Sequence, residues 1–258
     1  MAKYLRAAGD NVFTPKRVDP SVFKKSLGHL VYCIGVTGDF REKPYETVRA
    51  HVCYLSEILE RTRFESLLYL SSARVYGKAR SGKEEDALQV ETFDPSDLYN
   101  LSKLMGEALC FSSDRANVRI ARLSNVYGRD FSSPSFLTSI IRDAVDNGRV
   151  VLNTAMECQR DYISIKDVVS LLRQIALRGR HQLYNVASGI NVSNRELLQA
   201  IRSATGCRLE VAKGAEKVTY PRISINRLKD EFSFSPSSIL DETGELVSVY
   251  RYSTTPAR

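Results

Sequence analysis

The chain has 258 residues, with 37 Lys+Arg against 30 Asp+Glu and 3 His, 43% hydrophobic and 26% charged residues, the composition of an ordinary folded globular protein. No run of about 18 apolar residues occurs, and Met1 to Arg17 is too polar for a secretory leader, so neither a membrane span nor a signal peptide is readable and the cytoplasm is the expected compartment. The formal charge of +7 is spread along the chain without a basic, aromatic-interleaved stripe, which argues against nucleic acid and fits a binder of small anions.

In chain order, short apolar runs alternate with segments of helical period, the pattern of a parallel sheet with helices on its faces. The expected strands are Val12-Phe13, His29 to Ile34, Ser66 to Leu70, Val118 to Leu123 and Leu183 to Ala187. A helix over Thr47 to Glu60 spaces Val48, Val52, Leu55 and Leu59 along one face, and Ser96 to Phe111 does so with Leu101, Met105 and Ala108. Further helices are expected at Phe136 to Asp146, Lys166 to Leu177 and Ser193 to Ala204, the last opened by a Ser193–Glu196 capping box. Lys78 to Pro95 reads as a solvated loop and Ser253 to Arg258 as a frayed end. The five cysteines, Cys33, Cys53, Cys110, Cys158 and Cys207, are odd in number and form no C-x-x-C pair, so they read as reduced thiols rather than disulfides or a zinc site.

The chemistry concentrates in Asp94-Pro95-Ser96-Asp97-Leu98-Tyr99-Asn100-Leu101-Ser102-Lys103, which puts Tyr99 and Lys103 four residues apart on one helix face. A phenol is a poor base at neutral pH, and an adjacent ammonium favours the phenolate. Ser71-Ser72-Ala73-Arg74-Val75-Tyr76-Gly77 places a hydroxyl directly after an apolar strand, at the edge where parallel sheets bind ligands.

With these motifs the sequence resembles the extended short-chain dehydrogenase/reductase family, the NAD-dependent epimerases, dehydratases and reductases of nucleotide sugars. Leu68 to Gly77 is similar to its strand-Ser-Ser-x-x-Val-Tyr-Gly segment, Tyr99 to Lys103 to its Tyr-x-x-x-Lys helix, and Arg122 to Gly128 to its Arg-x-x-Asn-Val-Tyr-Gly. Arg160-Asp161-Tyr162-Ile163 and Tyr184-Asn185-Val186-Ala187 are similar to later family segments in the same order.

The resemblance implies a Rossmann-like, doubly wound parallel sheet in an α/β fold, with a small C-terminal substrate-binding lobe. Residues 1–130 would form a partial NAD(P)-binding domain and residues 131–258 mainly the substrate lobe, a strand near 183–187 returning to the sheet. Tyr99 would be the acid/base, Lys103 would hold the nicotinamide ribose and lower the phenol's pKa, and Ser72, five residues before Gly77, would bond the reacting sugar oxygen. Asn125 and Arg160 match substrate-facing positions; for Arg160 a structural pair with Asp161 or Asp167 stays open. Arg222 is a second phosphate candidate. NAD or NADP is the implied cofactor, a nucleotide sugar the implied partner, and a homodimer is left open.

Four departures qualify the resemblance. No strand, Gly-x-x-Gly-x-x-Gly turn and helix start are present; Met1 to Asp10 reads as the back half of a first helix, so the chain reads as N-terminally truncated, with cofactor binding weak or absent if it is whole. Ala73 and Arg74 stand where 4,6-dehydratases of the family carry Asp and Glu, which argues against that reaction. Lys16-Arg17, just past the expected strand at Val12-Phe13, where the family carries an acid for the adenosine ribose, suits a 2′-phosphate as well as it suits a solvated loop. An NAD(P)-dependent epimerase or reductase is thus one expectation; a noncatalytic nucleotide-sugar-binding or scaffold protein is the other. His51, where the family often has Asn, is expected to pack or bond backbone.

Overall fold

The computed structural model describes residues 1–254 apart from 37, 133 and 134. Its centre is a parallel sheet of four strands in the order β1-β2-β3-β7: β1 (Ser26–Tyr32), β2 (Arg63–Ser72), β3 (Val118–Leu123) and β7 (Leu183–Val186). Alternation along β2 explains how both faces are covered. Leu67 and Tyr69 point to one hydrophobic cluster, with Val118 and Ile120 of β3, while Leu68 points to the other with Ala121.

Helices fill both faces. On one lie α2 (Pro44–Val48), a π-helical turn (Arg49–Cys53), α3 (Tyr54–Arg61) and α4 (Asp97–Phe111); on the other lie α6 (Ile165–Arg178) and α8 (Asn226–Phe232). Leu55, Leu67, Leu68, Ile120 and Leu171 are almost fully buried, each contributing roughly 1.5–3 kcal/mol of transfer free energy.

A third cluster gathers α5 (Phe136–Asp146), α7 (Asn194–Thr205) and α9 (Ile239–Thr254) around Ile141, Leu197, Ile201 and Val247. Beside it run β5 (Arg149–Thr154), paired in parallel with β9 (Arg208–Glu216), and the small sheet β4 (Asn125–Tyr127), β6 (Gln159–Ser164) and β8 (Asn191–Ser193). A short helix, α1 (Ala2–Ala7), lies against α6.

Several expectations hold closely: α5 and β3 fall on the expected residues, and α7 carries the full Ser193–Glu196 capping box. All five cysteines are free. Others need correction. Val12-Phe13 forms no strand, because a strand needs a ladder partner and no described segment pairs with it. That segment borders a groove of about 740 Å³ along the open edge of β1. Ser253 and Thr254 are the last turn of α9 rather than a frayed end, and 255–258 lie outside the described residues.

The buried faces also differ. In the α2–α3 segment the π turn rotates the helix so that Thr47, His51, Tyr54 and Ile58 join Leu55 inside, while Val48, Val52 and Leu59 are only half-buried. In α4 Met105 and Ala108 face solvent, and the buried face is Tyr99, Asn100, Ser102, Lys103, Gly106 and Glu107. Gly106 is required there: a Cβ would meet the Tyr69 hydroxyl at 2.4 Å and the His51 carbonyl at 2.9 Å.

Candidate active site

The polar face of α4 is turned to the carboxyl ends of the sheet strands. Ser72 ends β2, and its Oγ accepts the Arg74 amide at 3.2 Å, capping the 3-10 turn Ala73–Tyr76. Ser72, Arg74, Tyr99, Asn125, Arg160 and Tyr220 line one cavity of about 260 Å³. Of the residues singled out in the sequence, Ser72, Tyr99, Asn125 and Arg160 are thus brought together.

Tyr99 is buried, and that burial raises its phenol above the ordinary value while the Ser72 hydroxyl and the Arg74 guanidinium pull it back. Lys103 lies one turn on, its Nζ 5.9 Å from the Tyr99 ring centroid and donating to the Leu70 carbonyl at 2.9 Å. Burial pushes the ammonium down to about 8. The i, i+4 spacing does put the two side chains on one face, yet the cation whose charge bears on the phenol here is Arg74, which the sequence offered only as a missing acid.

His51, expected from the sequence to pack or bond backbone rather than catalyse, is buried and does bond backbone. The Val36 amide donates to Nε2 at 3.1 Å, and Nδ1 lies 2.8 Å from Ser102 Oγ, which itself donates to the Tyr99 carbonyl at 2.8 Å. The two partners assign the proton to Nδ1. Burial, aided by the charges of Lys103 and Arg17, lowers the imidazole to about 3, so the ring is neutral.

In the same lining, Asn125 donates to the Asp161 carbonyl at 2.8 Å. Arg160 donates to Asn194 Oδ1 at 3.0 Å and stacks 4.4 Å over the Phe136 ring centroid, with no carboxylate partner among the described residues. The Asp161 carboxylate accepts from Ser188 N, Ser188 Oγ, Gly189 N and Ile190 N at 2.6–3.1 Å, and Asp167 accepts from Ser237 N, so neither acid pairs with Arg160. Arg222 is not brought into the cavity: it is exposed, and its Nε donates to the Gly189 carbonyl at 2.6 Å. Lys16 and Arg17 lie on the β1 groove, Arg17 donating to the Gly35 carbonyl at 2.6 Å.

The chemistry of these donors fits the ribose end of a nicotinamide nucleotide. Lys103 spends one N–H on Leu70, leaving the others for hydroxyl groups. A Cβ on Gly35 would come within 3.2 Å of His51 Nε2 and 3.7 Å of Lys103 Nζ, so glycine keeps that approach open. Among the described residues no glycine-rich strand-to-helix turn supplies amides for a pyrophosphate.

Comparison with known proteins places these features. The model of the NAD dependent epimerase/dehydratase family matches residues 21–187, more than half of the chain. A dTDP-glucose 4,6-dehydratase of Streptomyces griseus is 29% identical over 187 residues, covering 67% of this chain and 54% of that protein. The chain spans about half the length of the curated relatives it matches. Among solved structures, MoeE5 in complex with UDP-glucose and NAD aligns with a TM-score of 0.81 at 20% identity, over 98% of this chain and 95% of that one. RMD from Pseudomonas aeruginosa complexed with NADPH aligns with a TM-score of 0.80 at 22% identity, over 98% and 95%. These likenesses establish the α/β, Rossmann-like fold. Among the described residues no helix is long and apolar enough to cross a membrane.

Proposed function

The chain belongs to the NAD dependent epimerase/dehydratase family, and from its site we propose that it is an NAD(P)-dependent epimerase or reductase of a nucleotide-activated sugar. The observation that carries this reading is the meeting of Ser72, Tyr99, Asn125 and Arg160 on one cavity, with Lys103 behind Tyr99. The solved relatives' nicotinamide cofactors and UDP-glucose support it.

In this reading residues 1–130 hold the cofactor and 131–258 mainly the substrate. Bound nicotinamide supplies a hydride acceptor or donor. Tyr99 takes the proton from the sugar hydroxyl at its phenolic oxygen, or returns it, while Ser72 Oγ bonds the same sugar oxygen and fixes its direction. Lys103 orients the ribose and places a positive charge behind the ring. Arg160 offers a planar fork to the diphosphate, held flat by Phe136 and Asn194. Asn125 carries a sugar or phosphate contact on the same wall.

The curated relatives are named 4,6-dehydratases, but removal of water needs an acid and a base beside the sugar, and the residues here are Ala73 and Arg74. A methyl and a permanent cation do neither task, so we assign epimerisation or reduction rather than dehydration. A second reading is a noncatalytic nucleotide-sugar-binding or scaffold protein, in which the same cavity would hold the sugar without turnover.

The deciding experiment incubates the chain with NAD or NADP and a panel of UDP- and dTDP-sugars, following reduced nicotinamide and product sugar, with Tyr99→Phe in parallel. Turnover that Tyr99→Phe abolishes without a change in melting supports the enzyme. Sugar binding without turnover at saturating cofactor supports the second reading, and absence of both overturns each.

A further inference from the structure

Resting on the reading of Tyr99 as the acid/base, we propose that Arg74 is its positioning residue, the cation that holds the phenolate form, and that Lys103 is left to the ribose. Arg74 is half-buried on the turn that follows Ser72 and lines the same cavity as Ser72 and Tyr99. Its guanidinium carbon lies 5.6 Å from the Tyr99 ring centroid and 5.0 Å from that of Phe40, and the two rings are themselves 5.3 Å apart. The cation thus rests against a pair of touching rings, one of them the buried Phe40, which carries no charge. When the phenol ionises, negative charge spreads from its oxygen into the ring, and the attraction of a cation on that ring grows.

A guanidinium can serve the phenolate only if no other anion takes its charge. Among the described residues Arg74 has no carboxylate partner, and its side chain makes one long hydrogen bond, 3.5 Å to the Ser96 carbonyl. Asp94, Asp97 and Glu91 converge instead on Lys78, at 3.7, 2.8 and 3.2 Å. Asp161, the carboxylate of the cavity lining, accepts from Ser188, Gly189 and Ile190. Glu107, one turn beyond Lys103, is paired with Arg122 at 2.6 Å.

Distance alone does not separate the two cations, since Lys103 Nζ is 5.9 Å from the same centroid. Their chemistry does. Lys103 is buried, donates to the Leu70 carbonyl, and is pushed down to about 8, so it is losing its charge where a phenol begins to ionise. A guanidinium stays protonated throughout. The other groups around Tyr99 contribute no charge: the His51 ring, edge-on at 5.4 Å, is neutral, Ser72 offers a hydroxyl, and burial keeps the Tyr69 phenol protonated. Arg41 reaches the Phe40 ring and the Ser96 hydroxyl, and Arg17 the Gly35 carbonyl. Arg74 is therefore the permanent charge on the Tyr99 ring.

The test follows the ionisation of Tyr99 directly. The full chain is labelled with fluorotyrosine, whose phenol ionises at lower pH than that of tyrosine, and the Tyr99 signal is identified by its loss in Tyr99→Phe. Its midpoint is read by fluorine NMR without substrate. In Arg74→Gln the midpoint should rise by about one pH unit, a tenfold loss of phenolate, and Arg74→Lys should restore part of it. Lys103→Met should move it less, because Lys103 has already shed its proton in that range. No rise in Arg74→Gln, or a larger rise in Lys103→Met, would overturn the proposal. A merely structural role for Arg74 would lower the melting temperature and leave the midpoint in place. None of these readings needs turnover, so absence of turnover with the sugar panel would overturn the acid/base reading separately.

Discussion

His51 Nδ1 lies 2.8 Å from Ser102 Oγ while its Nε2 accepts the Val36 amide at 3.1 Å, and through that one ring the loop after β1 is tied to the helical turn that carries Tyr99. The ring has no exposed surface and is held neutral, with its value lowered to about 3. A neutral imidazole can accept the Val36 amide and donate to Ser102 in the same state; an imidazolium cannot accept.

The pH dependence of stability should show this. Between about pH 6.5 and 3 the unfolded chain binds a proton at His51 that the folded chain refuses. This contribution is therefore complete above pH 6.5 and lost progressively toward pH 3, on the order of 2–4 kcal/mol. His51→Gln, which keeps an acceptor and a donor, should be less stable near neutrality and show a shallower acid limb. Urea melts at several pH values would check it; parallel curves for parent and variant would count against the assignment.

Lys103 separates activity from stability. Its lowered value means that the fold disfavours the charged form, a cost present at neutral pH and relieved as pH rises from about 8 to 10.5. Lys103→Met should thus raise stability at pH 7 by about 1–3 kcal/mol while cutting turnover severely. In the parent, kcat/KM should carry a limb near pH 8 that the variant lacks. A variant that is both active and less stable would refute the buried-cation role.

Glu107 and Arg122 form a buried pair, their side chains 3% and 4% exposed, with Arg122 also donating to the Tyr76 hydroxyl at 2.7 Å. Glu107→Ala strands the guanidinium and should cost about 3–5 kcal/mol. The double variant Glu107→Leu/Arg122→Met should recover much of that loss. Urea midpoints of the three proteins decide it, and a single variant as stable as the parent would show that solvent reaches the charge.

Arg160→Ala should weaken UDP or dTDP binding by tenfold or more, the scale of a lost charge-assisted bond of about 1.5–3 kcal/mol. Its melting temperature should move little, since no ion pair is broken. Titration and thermal melts together distinguish this from a structural role, which would move melting and spare affinity.

The sequence by itself determined the alternation of strands and helices, because apolar periodicity is a local property and survives any tertiary arrangement. It placed α5 on Phe136–Asp146, α7 behind its capping box, and Tyr99 and Lys103 on one face. Tertiary structure decided which face of α4 is buried. Met105 and Ala108 look like the inward stripe by hydrophobicity, yet Ser102, Lys103 and Glu107 go inside because Ser71, Leu70, Arg122 and His51 meet them there. Polar burial is permitted only by partners, and those partners lie up to 51 residues away in the chain, as with His51 and Ser102. The short strands β4, β6 and β8 escaped periodicity for the same reason: segments of three to six residues are defined by the neighbours that complete their hydrogen bonds. Arg74 reads in sequence as a substitution that removes an acid, and only the fold, by spending every nearby carboxylate elsewhere, leaves it as a cation facing the cavity.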